Sequence, residues 1–427
     1  MSIKRSVGRF FFTIALLGAA GWLFVNAYAS YQLRGRVPEF ILKSPLASFF
    51  SAVWLFRGNY LYFEENDPSA AARCYRKAVS IEPSFIDPWI GLARADLASG
   101  KKEEARQILR MILPVTADVG TWKWDELQLD YGLGDNAAFS ACFNYILVHL
   151  PDHVDQACRL AAEFWGGWGD ASARVLPGGR TVFLNRLIGF RKPGAALILW
   201  KKMLQAGPVP DRKMKLRFCQ FLLDCGRIGE AKKVWSEWEG NGCPGLHNGG
   251  FEQEPLNTAF GWRIAPERDF LIERTPRGAY RGKWCLHLRF SGKKNLVFNR
   301  TLRIIPVEPG RDYVLQFAQK ARSLTTNQGV YLAVVGYGCK GLDARSKPVT
   351  GTVGWTGEKI DVPVPDGCEA VALQICRNES LKFDCDISGD YWLDALTFSP
   401  GVNAGDSCGQ AVKHEAHPQN VSGRCRR

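Results

Sequence analysis

The sequence has little of what enzymes and metal sites need. Only six histidines occur among its 427 residues. His149 and His153 have the i, i+4 spacing of a helical metal site, but Pro151 lies between them and interrupts the helix that would present both rings to one ion. None of the 13 cysteines shows the two-residue gap that is typical of zinc ribbons and redox motifs. We therefore predict no catalytic residue.

Negative charge is also in deficit. Asp and Glu number 42 against 55 Lys and Arg, which gives a net charge of +13 and favours an anionic partner or surface. No zinc finger, recognition helix or aromatic-basic strand pattern accompanies these charges, so we expect no nucleic acid partner. The basic group Arg424, Arg426 and Arg427 ends a small and polar stretch. We predict a disordered basic tail over 401–427.

Charge is absent from one stretch near the start, Phe10 to Ala29. These 20 residues would span about 30 Å of hydrocarbon as a helix, so we predict a transmembrane anchor over 10–29. The basic segment 1–9 would stay cytoplasmic, which places the linker 30–50 and the bulk of the chain on the periplasmic side of an inner membrane. Ala27-Tyr28-Ala29 fits a cleavage site, so a cleaved signal peptide is the alternative. Both interpretations export the body of the protein.

Small and aromatic residues recur at helical-repeat spacing from position 51 onward. Ala71 and Ala105 are 34 positions apart, which is about one tetratricopeptide repeat. The first repeat carries Leu55, Gly58, Tyr62, Ala71, Tyr75, Ala78 and Pro83 in order, and the second repeat keeps Trp89, Leu92 and Ala105. The segment 51–240 thus resembles tetratricopeptide repeats, with a generic helical bundle as the alternative.

This resemblance implies an α-helical solenoid of about four to six hairpins. The glycine-rich stretch 164–169 breaks the period, and we predict a loop or an irregular hairpin there. Tetratricopeptide families hold a peptide or protein partner in a concave groove that is lined by the first helix of each hairpin. Trp54, Tyr62 and Trp89 are the candidate groove residues that the resemblance implies.

After about Gly240 the pattern changes to short alternating runs separated by Gly, Pro, Asn and Asp, so we predict a domain boundary near 241–246. Alternation places Leu286, Leu288 and Phe290 on one face, and the same holds for Tyr313, Leu315 and Phe317 and for Val371, Leu373 and Ile375. By the same reading, Trp392, Leu396 and Phe398 share a face with Asp394. Many short strands with such turns predict a β-sandwich over 246–400. Four cysteines near these strands could pair in an oxidising compartment: Cys339, Cys368, Cys376 and Cys385.

Three motifs in this half resemble a galactose-binding-type jelly roll, as in carbohydrate-binding modules. They are Asn248-Gly249-Gly250-Phe251-Glu252 at the opening, Leu286-His287-Leu288, and Trp392-Leu393-Asp394-Ala395-Leu396 at the close. In that family an acid at the opening and one in the last strand often hold a structural calcium ion, which here implies Glu252 and Asp394. Many members have two adjacent acids in the last strand, whereas Ala395 follows Asp394 here. Calcium is the only cofactor that the resemblance implies.

Sugar binding needs exposed aromatic faces beside polar groups. The candidates are Trp262, Tyr280, Tyr337 and Trp355, two of which, Trp262 and Trp355, flank turns. The whole chain is therefore predicted to be a multidomain α then β protein, and a non-catalytic envelope scaffold for surface polysaccharide assembly or export. The alternative is a glycan-active enzyme, or an accessory subunit of one, with a carboxylate pair drawn from Glu254, Glu267, Asp269 and Asp343.

Overall fold

A computed structural model describes residues 48–206, 210–239, 246–264, 267–383 and 385–401. The predicted anchor over 10–29 and nearly all of the predicted tail lie outside these ranges. Among the described residues, no helix has both the length and the apolar composition that a membrane span requires. The chain divides into two compact units, Met1–Val209 and Pro210–Arg427, and each is described by itself.

The first unit is built from consecutive helices joined by short turns, as the repeat spacing predicts. The described helices are α1 (Ser51–Phe63), α2 (Pro68–Ile81), α3 (Ile86–Ala98), α4 (Lys102–Thr116), α5 (Lys123–Leu133), α6 (Asn136–His149), α7 (Val154–Phe164), α8 (Trp168–Arg174), α9 (Arg180–Gly189) and α10 (Pro193–Gln205). Side-chain caps begin two of them, because Asp67 accepts a hydrogen bond from the Ala70 amide and Asp135 accepts from the amides of the first turn of α6. The short α8 follows a glycine-rich turn, in agreement with the predicted irregular hairpin.

Tyr75 of α2 holds the first hairpins together. Its side chain is fully buried, and its hydroxyl donates a 2.8 Å hydrogen bond to Asn59 Oδ1. The ring lies against two glycines, since a Cβ atom would come within 2.5 Å of it at Gly58 and within 2.7 Å at Gly91. These glycines belong to α1 and α3, so one aromatic ring fills the space that both helices leave open beside α2.

The second unit begins with a helical hairpin, α11 (Arg212–Asp224) and α12 (Ile228–Glu239), and continues as a sandwich of two antiparallel sheets. Its strands are β1 (Leu271–Thr275), β2 (Cys285–Ser291), β3 (Phe298–Pro306), β4 (Asp312–Leu324), β5 (Tyr331–Gly336), β6 (Asp343–Arg345), β7 (Gly351–Pro363), β8 (Ala370–Arg377) and β9 (Ser388–Pro400). The five-stranded sheet has the order β1-β2-β9-β4-β7, and the four-stranded sheet has the order β3-β8-β5-β6. The predicted β-sandwich therefore forms, after the helical region as expected.

The hairpin α11–α12 packs with the sandwich, whereas the change of sequence pattern placed the boundary near 241–246. Gln220 Oε1 of α11 accepts hydrogen bonds from the Ala259 amide at 2.7 Å and from Arg263 Nη2 at 3.0 Å. Trp235 of α12 meets the ring of Phe260 edge-on, with centroids 5.7 Å apart. The boundary between the compact units therefore precedes α11, whereas the change from helices to strands follows α12.

The sandwich core lies between the sheets and is closed by one covalent link. Leu286, Leu315 and Leu373 are fully buried in this core, as their alternation predicts. Cys339 and Cys368 form a disulfide, which involves two of the four cysteines expected to pair. Cys376 and Cys385 are free thiols.

We expect Gly91→Ala to destabilise the first unit by about 1–3 kcal/mol, because the new methyl group would overlap the Tyr75 ring in a packed site. Urea unfolding followed by far-ultraviolet circular dichroism measures the change. Gly194→Ala in α10 is the matched control, since a Cβ atom there has no heavy atom within 4 Å and should leave stability equal or higher. Equal midpoints for both variants would contradict the packing role of Tyr75.

Candidate functional site

Two of the predicted glycan-binding aromatics, Tyr280 and Trp355, lie together on the sandwich. Their ring centroids are 5.4 Å apart and their planes are tilted by 47°. Tyr280 is 43% exposed on the β1–β2 loop (residues 276–284), and Trp355 is half-buried on β7, an edge strand of the five-stranded sheet. We call these two residues the aromatic pair. Its rings form an apolar surface that is open to a ligand.

Two carboxylates, the buried Asp394 and the exposed Glu252, hold the β1–β2 loop that carries Tyr280. Asp394 of β9 is fully buried, and its Oδ2 accepts hydrogen bonds from the amides of Tyr280 at 2.7 Å and Arg281 at 3.0 Å. Its Oδ1 accepts from the Ala395 amide at 2.6 Å. Burial raises the pKa of Asp394, and these backbone hydrogen bonds oppose the rise. The backbone of Tyr280 is thereby fixed to the central part of the sheet.

Glu252 fixes the other end of the same loop. Its Oε1 accepts hydrogen bonds from the Lys283 amide at 2.8 Å and the Trp284 amide at 3.1 Å. Calcium takes six to eight oxygen ligands, whereas the oxygens of Glu252 and Asp394 face amide hydrogens. Among the described residues, no group of three or more His, Cys, Asp or Glu side chains is arranged to hold a metal ion. This donor set does not fit a calcium shell, and the calcium expectation stays a prediction.

A charged network covers the outer face of the same sheet, and the sequence analysis did not anticipate it. Asp390 accepts hydrogen bonds from Arg289 at 2.9 Å and Arg322 at 2.7 Å, and His287 Nε2 lies 2.8 Å from its Oδ1. Burial opposes ionisation of Asp390, but these hydrogen bonds outweigh it and lower its pKa to about 2. Asp390 is therefore ionised at neutral pH, and its charge is satisfied within the network.

Trp392 lies on this outer face, not in the core with Leu396 and Phe398 as alternation predicted. Its strand neighbours are His287 on one side and Lys320 on the other. The His287 ring stacks on the indole at 4.9 Å, and Lys320 Nζ lies 5.1 Å from its centroid. Trp392 is consequently only 8% exposed and offers no open face to a sugar. Its outward position follows from a one-residue slip in the pairing of β4 with β9, next to Ala395.

Trp262 lies in closed surroundings, which corrects the expectation that its place at a turn exposes it, and Tyr337 lies apart from the aromatic pair. Trp262 is 2% exposed, its Nε1 donates to the His247 carbonyl at 3.2 Å, and its ring packs on Phe251 at 4.7 Å. Tyr337 is half-buried, and burial raises its pKa, with Asp224 of α11 contributing. Neither ring belongs to the open surface around the aromatic pair.

The predicted groove residues of the first unit are tied to their own helices. The indole N–H groups of Trp54 and Trp89 donate 2.9 Å hydrogen bonds to the carbonyls of Ser48 and Pro83, six residues earlier in each case. Tyr62 and Trp89 are half-buried against the hydrophobic core of the hairpins. These contacts show that all three side chains stabilise the hairpins, whether or not they also contact a partner.

A more open line of side chains crosses the first helices of the same hairpins. Phe63 of α1 is 61% exposed, and the Arg94 guanidinium of α3 lies 5.5 Å from its ring centroid. Arg94 also forms an ion pair with Asp125 of α5. We call Phe63, Arg94 and Asp125 the interhelix line. Sequence reasoning missed it because Phe63 ends α1 outside the repeat motif.

The acidic residues considered for catalysis are each paired with a different basic side chain. Glu254 pairs with Arg274, Glu267 with Arg300, Asp269 with Lys294 and Asp343 with Arg345. The hydrogen bond from Arg345 lowers the pKa of Asp343, which is the opposite of what a general acid needs.

Comparison with known proteins identifies one part of the chain. Residues 62–122, which contain α2, α3 and α4, match the family model described as tetratricopeptide repeat. No curated protein matches. Solved structures similar to the sandwich include the CBM22-1 xylan-binding domain of Paenibacillus barcinonensis Xyn10C, at 14% identity and TM-score 0.24 over 35% of this chain and 90% of that domain.

Two further structures are similar at the same level. One is described as "CBM4 structure and function", with 16% identity, TM-score 0.28, and coverage of 36% of this chain and 99% of that chain. The other is the Stig cyclase Fisc from Fischerella sp. TAU, with 8% identity, TM-score 0.25, and coverage of 36% and 96%. At these identities and TM-scores the likeness assigns neither a ligand nor an activity to this chain.

We expect Asp394→Ala to loosen the β1–β2 loop, because the amides of Tyr280 and Arg281 lose their acceptor. Each buried amide left without a partner costs about 1–3 kcal/mol. Hydrogen exchange measured by mass spectrometry should show faster exchange in peptides that cover 279–282. The control is Asp343→Ala, which removes an exposed ion pair and should leave this loop unchanged.

The same exchange measurement separates amide anchoring from calcium binding. We expect identical protection of the loop in calcium chloride and in EDTA, since the hydrogen bonds involve no ion. Protection that falls in EDTA and returns with calcium would contradict this expectation. Unchanged exchange in Asp394→Ala would contradict the anchoring role itself.

Proposed function

We propose that this protein is a non-catalytic envelope scaffold that binds a glycan on its β-sandwich and a protein partner on its helical repeats. Its proposed role is surface polysaccharide assembly or export. The single observation that supports glycan binding is the aromatic pair, in which Tyr280 lies on a loop held by Asp394 and Glu252 and Trp355 lies on the edge strand β7.

The chemistry of the aromatic pair suits a pyranose ring. Sugar rings carry apolar C–H faces, and these stack on aromatic side chains while neighbouring polar groups bind the hydroxyls. The loop backbone is preorganised by its hydrogen bonds to Asp394 and Glu252. Glycan binding therefore loses little conformational entropy of the loop, and more of the contact free energy contributes to affinity.

Two features support an extracytoplasmic location. The uncharged stretch over 10–29 has the length of a membrane anchor, and the Cys339–Cys368 disulfide is of the kind that persists in oxidising compartments. We propose an inner-membrane protein with a single span and a periplasmic body. Tetratricopeptide repeats typically hold protein partners, and the interhelix line supplies an exposed aromatic residue with charged neighbours for such contact.

Replacing either ring of the aromatic pair should weaken glycan binding. We expect Tyr280→Ala and Trp355→Ala to lower the affinity for a retained polysaccharide about tenfold each, which corresponds to about 1.4 kcal/mol of lost stacking. Affinity electrophoresis of the full chain through gels containing soluble polysaccharides measures the change.

Phe383→Ala is the matched control for the aromatic pair. Phe383 is fully exposed on the segment between β8 and β9, so its loss removes a ring without touching the site. Equal retardation of wild type, Tyr280→Ala and Trp355→Ala on every polysaccharide that binds would reject this site. Trp262→Ala does not serve as a test, because the loss of a core indole would destabilise the domain.

Phe63→Ala should reduce capture of a membrane partner by the first unit. The ring is exposed, so its loss should cost little stability, whereas an aromatic anchor at an interface is often worth 2 kcal/mol or more by truncation. Quantitative pull-down from solubilised membranes, scored on the partner identified with wild type, measures the loss. Met111→Ala removes an equally exposed apolar residue, 53% exposed, from α4, the second helix of its hairpin. Equal loss of partner capture in both variants would indicate nonspecific hydrophobic association and would reject the interhelix line as the partner-binding surface.

A further inference from the structure

The β1–β2 loop beside the aromatic pair carries only basic charged residues. The β1–β2 loop reads Pro-Arg-Gly-Ala-Tyr-Arg-Gly-Lys-Trp over 276–284 and contains no acidic residue. Arg277, Arg281 and Lys283 are all exposed, and the Arg281 guanidinium lies 5.6 Å from the Tyr280 ring centroid. Arg281 thus lies beside the exposed Tyr280 ring, Lys283 Nζ lies 5.8 Å from the Trp284 ring centroid, and Arg277 is exposed on the same loop.

Among the described residues these cations form no ion pair, in contrast to several arginines of the same sandwich. Arg274, Arg289, Arg322 and Arg345 each form an ion pair with a carboxylate. Within the described part of the chain, no carboxylate pairs with Arg277, Arg281 or Lys283. The two acids that contact this loop, Glu252 and Asp394, bind its amides, and Asp394 is fully buried. The charge of the loop is thus left for a ligand.

The positive surface extends from the loop toward the sheet. Lys320 of β4 also forms no ion pair among the described residues, and its ammonium lies over Trp392. One acid on that face, Asp390, forms ion pairs with Arg289 and Arg322. A polymer lying across the aromatic pair would therefore meet unpaired cations on the loop and on the sheet.

We infer that the glycan bound at the aromatic pair is acidic, a polysaccharide that carries carboxylates such as uronate residues. This inference rests on the proposed glycan-binding function. Arginine recognises a carboxylate through paired, directional hydrogen bonds. Unpaired exposed cations also attract a polyanion over distances of about 10 Å at moderate ionic strength. A neutral glycan would use the rings and leave this charge unused.

The test compares two polymers that share a backbone and differ in charge, polygalacturonate and its carboxyl-reduced neutral form. Isothermal titration of the full chain at about 20 mM and about 300 mM sodium chloride measures both. We expect at least about tenfold tighter binding of the acidic polymer at low salt, since each factor of ten needs only about 1.4 kcal/mol. This preference should shrink at high salt.

The variant R277Q/R281Q/K283Q should lose the preference for the acidic polymer and keep the binding of the neutral form. The control K201Q/K213Q/K232Q removes three exposed lysines elsewhere and changes the net charge equally, so it should behave as wild type. Equal losses in both variants would show a nonspecific charge effect and overturn the inference.

The outcomes separate this inference from the proposed function. Equal affinity of wild type for both polymers, lost in Tyr280→Ala, would overturn the acidic class and leave glycan binding standing. Binding of neither polymer by wild type would overturn both. Binding to phosphatidylglycerol vesicles that requires Arg277, Arg281 and Lys283, without polygalacturonate binding, would overturn the inference in favour of an anionic lipid surface.

Discussion

The candidate site depends on one buried carboxylate, that of Asp394. It accepts hydrogen bonds from the amides of Tyr280, Arg281 and Ala395, and it thereby joins β9 in the middle of a sheet to the loop that carries the exposed aromatic ring. A buried charge of this kind is tolerated only when hydrogen bonds satisfy it. The hydrogen bonds that satisfy the buried Asp394 also fix the backbone position of Tyr280. Burial of this carboxylate and placement of the exposed ring therefore depend on the same contacts.

Periodicity predicted the elements of this fold well, because the period reports which residues face a core. Tyr75, Ala71 and Ala78 follow the repeat spacing and are fully buried, and Leu286, Leu315 and Leu373 alternate and fill the sandwich. The same argument failed at β9. A slip of one residue next to Ala395, whose φ is 51°, turns Asp394 and Trp392 outward while Leu396 and Phe398 stay inside. No residue pattern around Ala395 marks such a slip in advance.

The candidate site could be predicted only in part, because exposure of an aromatic residue depends on its neighbours in space. Trp262 and Trp355 both flank turns, yet one is a core residue and the other lies on an edge strand. The difference arises from His247, Phe251 and Arg303, which enclose Trp262. The contact of Tyr280 with Trp355 likewise joins two segments that are distant in sequence, and only the strand order brings them together.

Charge distinguishes the anchoring acids of the site from the exposed cations of its loop. The acids near the β1–β2 loop are bound to amides or to arginines, whereas the cations of the loop form no ion pair among the described residues. Glu252 is exposed, yet its Oε1 accepts hydrogen bonds from the Lys283 and Trp284 amides and forms no ion pair with the loop cations. Backbone amides occupy the oxygens of the exposed Glu252 and of the buried Asp394, so the anchoring acids stay bound to the loop backbone and leave its cations unneutralised. The anchoring of the loop and its positive surface are therefore two consequences of the same hydrogen bonds.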